Sequence, residues 1–150
     1  MPISFDIELP AGEDLPEIAR ADLTFYGLDH SGPSYEARVF FDAAEAGTQT
    51  ALDHPGYVGS FSVLGHGGCF GEEGHCAVRP PASTFDRRLP HQLVPATRVL
   101  ICTEPVKRLV AANSGQVRVT VVAVVRASPL ATDVTGEVLR FDQVALHTYE

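Results

Sequence analysis

One short stretch of the sequence concentrates side chains that can bind a metal ion. Positions 66 to 76 read HGGCFGEEGHC, in which histidine, cysteine and glutamate are interleaved with glycine. Imidazole and thiolate are ligands that zinc and copper favour, and glycine lets a short loop fold closely around a small ion. The spacing matches no common zinc finger. The predicted ligands are His66, Cys69, His75, Cys76 and, if the fold brings it near His66, His30.

The same stretch has two other interpretations. A disulfide between Cys69 and Cys76 would close a small loop and stabilise it by about 2 kcal/mol, provided that the compartment is oxidising or the bond is protected. Alternatively, both thiols are reduced and the loop is purely structural. The odd number of cysteines argues against a secreted disulfide framework. The third cysteine, Cys102, ends the apolar run VLIC and is predicted to be a small buried hydrophobic residue.

The rest of the sequence carries no motif of a self-sufficient enzyme. It lacks the G-x-S-x-G nucleophile elbow, the P-loop, the G-x-G-x-x-G dinucleotide signature and the H-E-x-x-H metalloprotease signature. Its many carboxylates are scattered, so no acid/base pair stands out. We therefore expect a binding or accessory role in preference to catalysis.

Charge and hydropathy exclude several classes of partner. The net charge of -8 and the lack of a lysine and arginine cluster argue against nucleic acid and anionic membranes. No apolar run reaches the ~18 residues of a membrane span, and the N-terminus lacks the features of a signal peptide. The protein is expected to be cytoplasmic, or exported together with a partner. Its 150 residues suit a single domain over residues 1–150.

The elements that must position the metal-binding stretch are mostly strands. Residues 3–9 alternate apolar and polar side chains, as in a strand with one buried face. The valine-rich run 116–126 is apolar on both faces, which is typical of a central strand. Further strands are predicted at 23–28, 35–42, 57–64, 98–102 and 138–149.

Turn signals and one short helix complete the predicted fold. Residues 23–28 and 35–42 flank a Gly-Pro turn and are expected to pair as a hairpin. Thr103 is expected to cap a short helix that ends near residue 113. The glycine- and proline-rich segment 66–95 is long for a loop, which favours a functional role. The prediction is an all-β antiparallel sandwich of about seven strands with one short helix, and a single closed sheet is the alternative.

The order of these pieces resembles the C-terminal β-domain of type-3 copper proteins. A Gly-Ser-Phe strand within residues 57–61 leads to His66, and the late run VRVTVV at 117–122 precedes VLRFDQVAL at 138–146. Plant polyphenol oxidases, some tyrosinases and, more distantly, haemocyanins contain similar G-S-F-x-x-x-x-H and V-x-V-T-V-V stretches. The resemblance covers about residues 20–149.

This resemblance implies a β-sandwich that packs over a dicopper oxidase domain and restricts access to its active site. Copper is then the expected metal of residues 66–76, with zinc as the alternative. Phe70, the aromatic residue of that stretch, is the candidate side chain that plugs the partner's pocket. The copper-binding helices of the oxidase are absent from this sequence. The chain is therefore expected to be either a separate accessory subunit, with a type-3 copper oxidase as its partner, or a β-domain of this kind that has been repurposed. The segment from Cys69 to Cys76 also goes beyond the plant pattern.

Two other functions are compatible with the same residues. In one, the chain is a small metal-dependent enzyme or metal-binding protein that holds one ion with histidine and cysteine ligands. In the other, it is a non-catalytic interaction module whose long loop recognises a protein or a small ligand.

Overall fold

A computed structural model describes residues 2–10, 17–65, 85, 95–112, 114–125 and 138–150. Seven strands and one helix lie within these ranges. The strands are β1 (Ile3–Glu8), β2 (Arg20–Leu28), β3 (Tyr35–Phe41), β4 (Tyr57–Val63), β5 (Ala96–Ile101), β6 (Gln116–Val125) and β7 (Gln143–Tyr149). Helix α1 (Thr103–Ala111) connects β5 to β6.

The strands form two antiparallel sheets that pack face to face. The four-stranded sheet has the order β1-β6-β3-β4, and the three-stranded sheet has the order β5-β2-β7. Side chains from both sheets contribute to one main core. This arrangement confirms the predicted all-β sandwich of about seven strands with one short helix. It also shows that the described strands do not form a single closed sheet.

Phe25 lies at the centre of the core. Its side chain, on the middle strand of the three-stranded sheet, is fully buried. Its ring centroid lies 4.9 Å from that of Phe61 on β4 and 5.6 Å from that of Phe141, just before β7. Tilted and edge-to-face rings suit the aromatic quadrupole. Burying a side chain of this kind stabilises the fold by roughly 1.5–3 kcal/mol, so this cluster holds the two sheets together.

β6 has a central position in the four-stranded sheet, between β1 and β3. Val119 and Val121 face the main core. Val122 belongs instead to a second, smaller cluster with Phe40 and Ala43 on the outer side of the sheet. Both faces of β6 are therefore covered, which confirms its predicted central place and explains why its valines do not alternate with polar residues.

The predicted hairpin between the second and third strands is wrong. β2 belongs to the three-stranded sheet and β3 to the four-stranded sheet, so residues 29–34 cross from one sheet to the other. Leu28 and Tyr35, on either side of the crossing, are both buried in the shared core. The alternation of a strand is satisfied in either sheet, so the local pattern and the turn residues could not indicate this change.

Helix α1 begins where it was predicted, but its N-terminus is different. Cys102 is the N-cap residue and makes no side-chain capping hydrogen bond. Thr103 is the first helical residue, and its Oγ1 accepts a hydrogen bond from the Ala21 N–H at 3.0 Å. The predicted capping role of Thr103 is therefore wrong, because its hydroxyl bonds to β2. Within the described ranges, no helix has the length and apolar character needed to cross a membrane.

The last predicted strand, 138–149, is shorter than expected. Pairing with β2 begins only at Gln143. Leu139 and Phe141 pack against the core from irregular backbone, and the Asp142 N–H donates to a β2 carbonyl at 2.9 Å. The strand therefore begins at Gln143, five residues later than predicted.

Candidate functional site

The two ends of the predicted functional loop leave the sandwich at the same end, which we call the loop end. The loop follows β4, whose last residue pairs with Tyr35, and it precedes β5, whose first residue pairs with Leu28. The connection 29–34, which carries His30, lies between Leu28 and Tyr35. Sheet pairing thus brings the two described borders of the long loop and His30 to one end of the molecule.

A close contact joins the start of the long loop to the connection that carries His30. The Gly65 N–H donates to Ser34 Oγ at 3.0 Å. A side chain at Gly65 would overlap the backbone of Pro33, so this approach requires glycine. The residue immediately before His66 therefore lies against the connection that contains His30. This arrangement is the one that a joint role of the two histidines as ligands requires.

His30 is the member of the predicted ligand set that lies within the described residues. It is half-buried and follows Asp29, whose carboxylate accepts the Ser31 N–H at 2.8 Å and lies 3.6 Å from the Arg140 guanidinium. Hydrogen bonds from the side chain and backbone of Ser31 hold the pKa of Asp29 below its ordinary value. The other predicted site residues lie outside the described residues, and so does the predicted Cys69–Cys76 disulfide. These residues are His66, Cys69, Phe70, His75 and Cys76.

The described residues do not by themselves make up a metal centre. Within this part of the chain, no three His, Cys, Asp or Glu side chains come close enough together to hold an ion. His30 offers one ring nitrogen for coordination, whereas structural zinc sites use four ligands and copper sites of the His/Cys type use three or four. The metal prediction therefore depends on residues 66–76, whose donor chemistry suits copper or zinc.

A buried hydroxyl at the loop end was not anticipated from the sequence. Tyr35 is 4% exposed, and among the described residues nothing hydrogen-bonds its hydroxyl. Desolvation raises the pKa of the phenol to about 12, an effect that the charge of Asp29 increases and that of Arg98 opposes. The phenol therefore stays protonated near neutral pH, and the described residues provide no acceptor for its O–H. Alternation along a strand determines which face a side chain shares, but it gives no information about the partners of the Tyr35 hydroxyl.

Arg98 lies at the inner side of β5 near the same end. It pairs across the strands with the inward-facing Phe25. Its Nε donates to the Ser62 carbonyl on β4 at 3.3 Å, and its Nη1 donates to the Thr97 carbonyl at 3.0 Å. Arg98 thus joins the two sheets through the Ser62 carbonyl. The Arg98 guanidinium and the Tyr35 hydroxyl are both hydrogen-bond donors near the loop end. Together they favour a hydrogen-bond acceptor there, from a loop or from a ligand.

Cys102 is the buried residue that the sequence predicted. It is a free cysteine and 1% exposed. Burial raises the pKa of its thiol to about 11, with a smaller contribution from the charge of Asp22. Because the thiolate is the reactive form, Cys102 is suited to packing at the start of helix α1 and not to nucleophilic catalysis.

Comparison with known proteins gives a likeness in fold. No protein-family model matches the chain, and no curated protein matches it. Among solved structures, the chain is similar to a "recombinantly expressed latent aurone synthase (polyphenol oxidase)", with a TM-score of 0.51 and 17% sequence identity. The match covers 99% of this chain and 24% of that chain. Nearly the whole sandwich is therefore similar to about a quarter of a polyphenol oxidase, and at this identity the likeness is one of fold.

Proposed function

We propose that this chain is a shielding β-domain for a tyrosinase-type copper oxidase, folded as one domain over residues 1–150. The supporting observation is the likeness in fold between almost all of this chain and a quarter of a polyphenol oxidase. The short sequence motifs had indicated the same family without any structure. In this proposal the oxidation chemistry belongs to the partner, and this chain restricts access to it.

The outer face of the three-stranded sheet is the proposed contact surface with that partner. Asp22 pairs with Ile101 on one side and His147 on the other, and Thr24 pairs with Val99. Val99 and Ile101 are 49% and 58% exposed, whereas Asp22 and Thr24 are each 5% exposed. The apolar side chains therefore lie outermost and cover the polar ones, which is the reverse of what a hydrated sheet face requires.

Aromatic and charged side chains extend this surface. Tyr26 and Tyr149 are exposed on the same face, and the Tyr26 hydroxyl lies 3.0 Å from His147 Nε2. Arg20 lies 2.7 Å from the Asp22 carboxylate. Tyrosine and arginine are enriched in protein interfaces. We call this surface, formed by Arg20, Tyr26, Val99, Ile101 and Tyr149, the docking face.

On the outer face of the four-stranded sheet, the chain itself covers the apolar side chains, since Ala43 and Ala46 of the β3–β4 connection pack with Phe40 and Val122. Arg118 donates to both carboxylate oxygens of Asp6 at 2.8 Å, and Arg38 lies 3.1 Å from Glu36. The Arg118–Asp6 pair is about half exposed, and exposed ion pairs of this kind need no covering partner. The side chains of Arg38 and Glu36 are 19% and 21% exposed. The contrast between the two outer faces supports a partner that packs on the three-stranded sheet. The unmatched three quarters of the polyphenol oxidase chain indicates the kind of body that would occupy it.

The long loop is the proposed shielding element. In this proposal, Phe70 is the side chain that enters the partner's substrate pocket. Copper handling, with zinc as the alternative, would use His66, Cys69, His75 and Cys76 together with His30. The contact between Gly65 and the connection 29–34 supports bringing His30 and His66 into one site.

Inhibition of a type-3 oxidase tests the shielding role. The purified chain is titrated into a dicopper oxidase that lacks its own β-domain, and the rate of diphenol oxidation is measured. We expect saturable inhibition by the wild-type chain. Ile101→Glu should inhibit at least about tenfold less well, because an unpaired charge is costly to bury at an interface.

A matched variant separates docking from general effects of charge. Leu52→Glu introduces the same charge outside the docking face. Leu52 is 50% exposed, which is similar to Ile101 at 58%. This variant should inhibit as well as the wild type. No complex and no inhibition by the wild-type chain would contradict the shielding role. Equal effects of the two substitutions would contradict the docking face alone.

Elemental analysis tests copper handling, which is separable from shielding. Untagged protein purified without chelator should contain near-stoichiometric copper. His66→Ala and His30→Ala should lower the copper content, whereas His147→Ala, an exposed histidine of β7, should not. Metal content unaffected by His66→Ala would show that the ligand set is wrong. Wild-type protein that contains no copper would contradict copper handling and would leave the shielding role unaffected.

A further inference from the structure

A concave site lies at the end of the sandwich opposite the loop end. It is a cavity of about 300 Å³ between helix α1 and the connection from β3 to β4. Apolar side chains form much of its lining, including those of Phe41, Tyr57, Val58 and Leu109. Its size is at the lower end of the range of small-molecule pockets, about 300–1,000 Å³. The cavity therefore suits a small ligand with an apolar body.

Arg108 supplies a cation to this cavity. Pro105, Arg108 and Leu109 are three and four positions apart on helix α1 and so share one helix face, and all three line the cavity. In the part of the chain that the structure describes, no carboxylate or carbonyl accepts a hydrogen bond from the Arg108 guanidinium. A planar guanidinium with open donors is suited to bidentate contact with a carboxylate.

His54 supplies a second donor. Its Nδ1 accepts the N–H of Gly56 at 3.0 Å, so the neutral ring carries its proton on Nε2. That atom lies 3.8 Å from the Glu45 carboxylate, which is longer than a hydrogen bond. The ring is held edge-to-face against Phe40 with 6.0 Å between centroids. His54 therefore has a fixed orientation, and the described residues provide no acceptor within hydrogen-bond distance of its Nε2–H.

The acidic residue of the cavity has other partners. Asp42 accepts the Arg118 N–H through its Oδ1 at 3.0 Å, and its own N–H donates to the Arg118 carbonyl at 2.8 Å. These two bonds tie Asp42 to β6, with its backbone at a φ of 48°. Asp42 is thus engaged with the sheet. Arg108 and His54 both line the cavity, and among the described residues neither the Arg108 guanidinium nor His54 Nε2 has an acceptor within hydrogen-bond distance.

We infer that this cavity binds a small carboxylate with a flat apolar body, its carboxylate on Arg108 and His54 and its body against Tyr57, Val58 and Leu109. The inference is independent of the proposed shielding role, since the cavity lies at the other end of the fold. The net charge of -8 disfavours anions in general, so binding depends on these two local donors. Benzoate is a suitable probe, and benzamide is its uncharged counterpart of the same shape.

Titration followed by two-dimensional ¹⁵N–¹H NMR tests the site at neutral pH and physiological salt. We expect saturable benzoate-dependent shifts in the amides of residues 41–58 and 105–109, with a dissociation constant in the millimolar range or below. Benzamide should give no saturable shifts there. Arg108→Gln should weaken benzoate binding at least about tenfold, as for loss of a charged hydrogen bond.

Arg140→Gln is the matched control. It removes the same charge from another exposed arginine, which lies near Asp29 at the loop end. This variant should bind benzoate within about twofold of the wild type if direct contact, and not net charge, determines affinity. Arg108 is exposed on the helix surface, so its variant should keep the wild-type spectrum elsewhere. Absence of saturable shifts, equal binding of benzamide, or equal effects of the two variants would overturn the inference.

Discussion

The hydroxyl of Tyr35 allows a sharp test of the described core, because one atom can be removed while the ring stays in place. Tyr35 is almost fully buried between the sheets, and in the described part of the chain its hydroxyl has no partner. Tyr35→Phe deletes that oxygen and preserves the apolar contacts of the ring. We therefore expect this substitution to stabilise the protein, whereas most core substitutions destabilise.

The expected magnitude follows from the cost of an unpaired buried polar group. That cost is about 1–3 kcal/mol, and the ring itself is unchanged. Tyr35→Phe should raise the free energy of unfolding by about 1–2 kcal/mol, which corresponds to an increase in Tm of about 2–8 °C for a chain of this length.

The dependence of stability on pH gives a second, independent measurement. Burial raises the pKa of Tyr35 from its ordinary 10.0 to about 12. The folded state therefore holds the phenolic proton more tightly than the unfolded state does. The corresponding stabilisation is complete below about pH 10 and is lost as pH rises from about 10 to about 12. Tyr35→Phe should remove this loss. The buried Cys102 thiol contributes a similar loss between about pH 9 and about 11 in both proteins.

Urea unfolding followed by far-UV circular dichroism measures both effects. Tyr26→Phe is the matched control, because the Tyr26 hydroxyl is exposed and lies 3.0 Å from His147. Its effect should stay within about 0.5 kcal/mol. A loss of about 1 kcal/mol or more in Tyr35→Phe would show that the hydroxyl makes a hydrogen bond in solution. That result would refute the assignment of Tyr35 as an unpaired donor.

Three further predictions concern the loop end and the core. Gly65→Ala should destabilise by about 1–3 kcal/mol, because its side chain would overlap the backbone it lies against. Gly115→Ala should change stability little, because the space around Gly115 is open. Equal melting temperatures of the Gly65→Ala and Gly115→Ala variants would contradict the close contact at Gly65. Phe25→Ala should lower the free energy of unfolding, measured with urea, by about 3–5 kcal/mol. Val99→Ala, at a half-exposed position, should lower it by less than about 1 kcal/mol. Cys102, buried and with a raised pKa, should react with iodoacetamide at pH 8 only after unfolding, as measured by peptide mass spectrometry; rapid labelling of native protein would contradict its burial.

Several parts of the fold were accessible from the sequence because they depend on local periodicity. Side chains alternate between the two faces of a strand and repeat every 3.6 residues in a helix, so burial leaves a pattern along the chain. This pattern located the strands and helix α1 to within a few residues, apart from the late start of β7. It also identified β6 as a central strand and Cys102 as a buried residue.

The candidate site was only partly accessible in this way. The types and spacing of residues 66–76 indicate a metal chemistry, but nothing local relates them to His30. The structure brings Gly65 against the connection that follows His30, through the Ser34 hydroxyl. This contact spans more than thirty positions of the sequence. It depends on glycine because the backbone of another segment fills the space that a side chain would need.

Tertiary structure alone decided the features that arise between distant strands. Three such features depend on which segments become neighbours: the change of sheet after β2, the hydrogen bond of the Thr103 hydroxyl to β2, and the lack of a partner for the Tyr35 hydroxyl among the described residues. On the docking face, Asp22 is covered because β5 and β7 place Ile101 and His147 on either side of it. The sequence by itself determined which side of each element is apolar. The packing of the two sheets decided which polar groups lie together, because such neighbours are close in space and far apart along the chain.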